Sequence, residues 1–88
     1  MHFTSIDEYS AKIANNPSSI NAYFARAIDY MLVQDFAEAI EDFDKVIQLD
    51  SDYAMAYFNR AVVRYKRLEY DLSQTDSQQG EPADNSIS

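Results

Sequence analysis

Residues 20–33 read INAYFARAIDYMLV, and residues 54–67 read AMAYFNRAVVRYKR. Set one above the other, they align Ala22, Tyr23, Phe24, Arg26 and Ala27 with the identical residues Ala56, Tyr57, Phe58, Arg60 and Ala61, and Ile28 with Val62, at an offset of 34. The same offset places Asp35 on Glu69 and Phe36 on Tyr70. It also carries an earlier segment onto a later one: Ile6 onto Ile40, Asp7 onto Glu41, Tyr9 onto Phe43, Ile13 onto Ile47 and Asn16 onto Asp50. One shift without gaps that relates two pairs of segments signals a stacked repeat, in which each unit buries an apolar face against the next.

The local pattern is helical throughout. Apolar residues recur at three- and four-residue steps over 5–14, 20–33, 36–49 and 53–68. Thr4 or Ser5 is placed to cap the first helix with Asp7 or Glu8 three on, Ser18 or Ser19 the second, and Ser51 or Asp52 the fourth; Asp35 with Glu38 reads as a capping box for the third. Asn15, Asn16 and Pro17 stop the first, because the residue before proline is pushed out of the α region. No segment alternates with period two, so no strand is expected. Among residues 20–33 only Asn21, Arg26 and Asp29 are polar, so this helix needs cover on most sides and belongs in the centre. The third has an apolar stripe (Phe36, Ala39, Ile40, Phe43, Val46, Ile47) and a polar face (Glu38, Glu41, Asp42, Lys45, Gln48), so it lies outside.

These residues resemble the tetratricopeptide repeat family. Tyr23 falls at the family's first large aromatic, Ala27 at the small residue where two helices cross, and Tyr30 at the next aromatic. Ala39 falls at the second small crossing position, Phe43 at the following aromatic and Val46 at the small apolar position near the end. Small residues let antiparallel helices approach closely while aromatics fill the space beside them. Ser51 stands where the family has proline, and Arg26 and Arg60 where it has leucine; their stems are expected at the core edge with the guanidinium in solvent. The resemblance implies an all-α fold: a short α-α superhelix of antiparallel helix pairs, about four helices in all. Residues 1–72 form the domain, with a half repeat at 4–17, a full repeat at 20–53 and a half repeat at 54–72.

From Ser73 on, SQTDSQQGEPADNSIS has only Ala83 and Ile87 as apolar side chains of consequence, and it is expected to be a disordered acidic tail over 73–88. The array is therefore incomplete, since stacked repeats usually need about three units and a polar cap. A marginal monomer, a self-associating unit and a piece of a longer array all remain open.

Composition narrows the function. The 88 residues contain no cysteine and one histidine, His2, which excludes thiolate metal sites and a Ser-His-Asp triad. A single glycine, Gly80, excludes a glycine-rich phosphate loop. The net charge of −8 works against nucleic acid and anionic membrane surfaces, and no apolar run is long enough to span a bilayer. No signal peptide is visible, which favours the cytoplasm if the chain is complete. Residues 29–52 hold eight acids and one base, whereas 54–68 hold Arg60, Arg64, Lys66 and Arg67 and no acid. These segments either face each other as neighbouring helices or join head to tail between copies. Asp50, Ser51 and Asp52 imitate the start of a calcium loop, but Met55 and Ala61 occupy the positions that need glycine and glutamate. No cofactor and no catalytic residue is expected.

What remains is protein binding. In tetratricopeptide arrays the first helices of successive repeats line a concave groove that binds peptides. The resemblance places Asn21, Phe24, Ile28 and Met31 there from one helix and Met55, Phe58, Val62 and Lys66 from the next. An apolar, Met-containing groove suits a helix or an extended peptide. Some family members clamp a partner's terminal carboxylates with lysine and asparagine; Phe24, Ile28, Phe58 and Val62 stand at those places, leaving Asn59, Arg60 and Lys66 as the polar groups nearby. The leading expectation is a non-catalytic protein-interaction module with a protein or peptide ligand. The alternatives are that the apolar stripe fills a closed core, or that the uncapped last helix pairs with another copy as a homo-oligomer.

Overall fold

Each helix begins and ends where a local hydrogen-bonding signal dictates. The computed structural model describes residues 4–79, with side chains through Gln74. Four helices follow in order: α1 (Ser5–Asn15), α2 (Ile20–Leu32), α3 (Phe36–Leu49) and α4 (Ala54–Gln79). Thr4 caps α1 in a full capping box: its hydroxyl accepts from the Asp7 N–H, and the Asp7 carboxylate accepts from the Thr4 N–H. Ser19 caps α2 by accepting from the Ala22 N–H. Both caps supply an oxygen to an otherwise unpartnered amide of the first turn.

The capping box expected at Asp35 does not form. Asp35 precedes α3 but makes no side-chain capping bond. The reason lies in the preceding turn. Gln34 adopts a left-handed φ of 67°, and the N–H groups of Gln34 and Asp35 donate back to the carbonyls of Met31 and Tyr30. This is a Schellman closure of α2. Asp35 is thus the residue that ends one helix and starts the next, and its ψ of 73° departs from the 170° at Thr4.

The 34-residue echo is structural as well as sequential. Asn16 donates its N–H to Lys12 O, accepts the Ser19 N–H on its carbonyl and the Ser18 N–H on its side chain. Asp50, 34 residues on, donates to Val46 O, accepts the Tyr53 N–H on its carbonyl and the Asp52 N–H on its carboxylate. The α3–α4 turn is organised by Asp50, and α4 starts at Ala54, directly after Tyr53, rather than at a Ser51 or Asp52 cap.

Packing follows chain order: α1 on α2, α2 on α3, α3 on α4. The core is built from Tyr23, Ala27, Phe36, Ala39, Phe43, Val46, Ala56 and Val63. Ala27 and Ala39 are both 0% exposed, as the close crossing of α2 and α3 requires. The fold is all-α, the tetratricopeptide-like arrangement of antiparallel pairs.

The last helix departs from expectation. Its backbone stays helical to Gln79, seven residues beyond Leu72, where a disordered segment had been expected to begin. No proline or glycine stands between Tyr53 and Gly80 to interrupt it, and glutamine is a good helix former. The remainder of the expected tail, 80–88, lies outside the described residues.

Candidate partner-binding groove

On α2 the expected groove stripe is only partly free. Asn21 is exposed, but Phe24, Ile28 and Met31 are half-buried and pack against the core. Phe24 explains why. Its ring meets Phe43 edge-on at 5.6 Å and stacks on Tyr53 at 5.2 Å. The alternative that this stripe fills the core therefore describes Phe24 better than a free groove does. On α4 the stripe is open. Met55 and Phe58 are 55% and 63% exposed, Lys66 is exposed and Val62 is half-buried.

Met31 and Lys66 come together in one cleft of about 470 Å³, between the end of α2 and the second half of α4. Leu32, Phe36, Glu69 and Tyr70 also line it. Leu32 is 72% exposed, and Tyr70 meets Phe36 edge-on at 6.1 Å. Leu32, which lines this cleft, is an exposed apolar residue outside the expected groove positions. The repeat itself points to it: at a shift of 34, Leu32 falls on Lys66.

Of the polar residues near the groove, Lys66 alone keeps its head group uncommitted among the described residues. Asn59 donates to the Met55 carbonyl within its own helix. Arg60 donates to Asp44 and lies 5.5 Å from the Tyr57 ring. The acidic and basic segments thus meet across α3 and α4. Arg60 and Asp44 are 23% and 49% exposed, so the pair is worth about 0–1 kcal/mol.

Arg26 behaves differently from the solvent-reaching side chain expected. Its guanidinium turns inward and binds Asp42 through Nε and Nη2, both at 2.8 Å, while Nη1 reaches the Ser10 hydroxyl at 3.0 Å. It also lies 5.9 Å from the Tyr23 ring and 5.6 Å from Tyr30. Hydrogen bonding to Asp42 raises the guanidinium further above its ordinary pKa, against burial, which lowers it. One side chain so ties α1, α2 and α3 together. Asp42, placed on the polar face of α3 by its neighbours in sequence, is buried.

Residues 29–67 match the family model described as TPR repeat. Over 65 residues the chain is 32% identical to the tetratricopeptide repeat and J domain-containing co-chaperone of Fusarium oxysporum f. sp. lycopersici. That match covers 74% of this chain but only 12% of the relative's length. No solved structure is a significant match.

Proposed function

The chain belongs to the tetratricopeptide repeat family, and from that premise we propose that it holds a peptide segment of a partner protein against the α4 side of the groove. Proteins of this family serve as protein–protein interaction modules, and this chain is one. The reading makes it non-catalytic. The finer claim is carried by the exposure of Met55 and Phe58 at the start of α4, followed further along the same helix by a cleft that unites Met31 and Lys66. Large apolar side chains held in water gain free energy when a partner covers them, roughly 25 cal/mol per Å² of apolar surface. Lys66 at the rim suits an acidic residue or a backbone carbonyl of the ligand. The floor is made by Phe24, Ile28 and Met31, which the core fixes in place.

The test is selection of a displayed random peptide library on the chain, followed by fluorescence anisotropy of the enriched peptides. Paired replacement of Met55 and Phe58 by alanine weakens binding at least tenfold with an unchanged circular dichroism spectrum. Failure to enrich any peptide, or binding indifferent to that pair, removes the groove.

A second reading, self-assembly through the last helix, is supported by the solvent exposure of the α4 face turned away from α3.

A further inference from the structure

The α4 helix has two apolar faces, and among the described residues only one of them is covered. Ala56 and Val63, both 0% exposed, face α3, and Tyr70 meets Phe36 on the same side. Ala61, Tyr65, Leu68 and Leu72 follow one another along a second face of the helix at steps of four, three and four, with Leu68 at its edge lining a shallow cleft with Ile40 of α3. That is the a/d spacing of a coiled-coil seam. Tyr65, Leu68 and Leu72 are 63%, 55% and 58% exposed, and Ala61 is exposed as well. We propose that this seam pairs antiparallel with the same seam of a second copy of the chain, forming a twofold dimer. The proposal rests on the self-assembly reading above and names its surface, its register and its orientation.

Two observations favour a second copy. The first is size. Together with the neighbouring Tyr57 and Phe58, the seam leaves roughly 500 Å² of apolar side chain in water, at the upper end of what monomers expose. Two such faces supply about the 1,000 Å² that a specific interface needs. The second is charge. Along α4, Arg60, Arg64, Lys66 and Arg67 are followed by Glu69 and Asp71. Antiparallel pairing in the register set out below brings Arg64 of each copy level with Glu69 and Asp71 of the other. A parallel pair sets the four bases side by side.

The register follows from the seam. Antiparallel coils oppose a and d positions, so Tyr65 meets Leu68 of the other copy and Ala61 meets Leu72 of the other copy, each contact occurring twice. The small alanine opposite Leu72 makes room for it. In this register Arg64 flanks the seam within reach of Asp71 of the other copy, again twice. Neither residue has an ion-pair partner among the described residues. Phe58, seven residues before Tyr65, continues the same seam and is covered in the dimer, whereas Met55 falls outside it.

Sedimentation equilibrium of the full chain from about 5 to 500 µM, on the antiparallel coil register above, tests the proposal. The expected result is a monomer–dimer equilibrium. Leu68→Asp weakens the dimer at least tenfold while the circular dichroism spectrum is kept, because Leu68 is already mostly exposed. Arg64→Asp and Asp71→Arg each weaken it, and the double variant restores it. A monomer at every concentration overturns both the seam and self-assembly. A dimer indifferent to Leu68→Asp overturns the seam and leaves self-assembly standing. Loss in the single charge variants without recovery in the double overturns the antiparallel orientation.

Discussion

Arg26 grips Asp42 with two parallel hydrogen bonds of 2.8 Å across the α2–α3 contact. The side chains are 19% and 7% exposed, so most of the pair is out of water. A planar guanidinium matches a carboxylate in this fork geometry, and lysine would not reproduce it. Breaking a buried pair by removing one partner costs more than the pair contributes, because the other charge is stranded. Asp42→Ala therefore lowers unfolding free energy by about 3 kcal/mol. The double variant Arg26→Leu with Asp42→Ala recovers much of that loss. Urea denaturation of the three variants measures this, and a cost below about 0.5 kcal/mol for Asp42→Ala would refute it.

Gln34 sits at a φ of 67°, where a Cβ is unfavourable and glycine is free. Gln34→Gly is expected to stabilise the chain by about 0.5–1 kcal/mol, and Gln34→Val to destabilise it by at least as much. Thermal melts followed at 222 nm read both; a lower melting temperature for the glycine variant contradicts the left-handed turn.

Phe24 and Phe58 are equivalent in the repeat and opposite in their surroundings. Phe24 contacts Phe43 and Tyr53, whereas Phe58 is 63% exposed. Phe24→Ala is expected to cost about 2–3 kcal/mol of stability, and Phe58→Ala less than about 0.5 kcal/mol. Equal costs in chemical denaturation would mean that α4 is covered in solution or that Phe24 is not packed as described.

Helix positions were readable in the sequence because period, caps and breakers agree there. The apolar period over 36–49 coincides with α3, and Thr4 and Ser19 cap as their spacing suggests. Asp35 misled because one residue serves two helix ends, and the backbone closure of α2 claims it first. Asp42 misled because its neighbours on α3 are solvated, so only its distance to Arg26 reveals its role. The repeat held a usable clue: Ser10 is 34 residues before Asp44, and Arg26 contacts Ser10 as Arg60 contacts Asp44. Phe24 was legible as an aromatic on the groove side, but not as one stacked on Tyr53, because the turn at Asp50 positions that partner. The end of α4 was hidden by composition: polar residues that cannot build a core can still continue a helix already nucleated by packing.

Ala27 and Ala39 leave α2 and α3 little room to grow. Ala39→Leu is expected to cost about 2–3 kcal/mol by overpacking a position that is 0% exposed. A loss below about 0.5 kcal/mol on urea titration would place the crossing elsewhere.

A methyl-resolved NOESY spectrum of the chain tests the stacked-hairpin arrangement most directly. A cross-peak is expected between the Ala27 and Ala39 methyl groups, together with contacts from the Val46 methyls to the Phe24 or Phe43 rings. A spectrum in which the two alanine methyls share no neighbour, although both helices are formed, would contradict it.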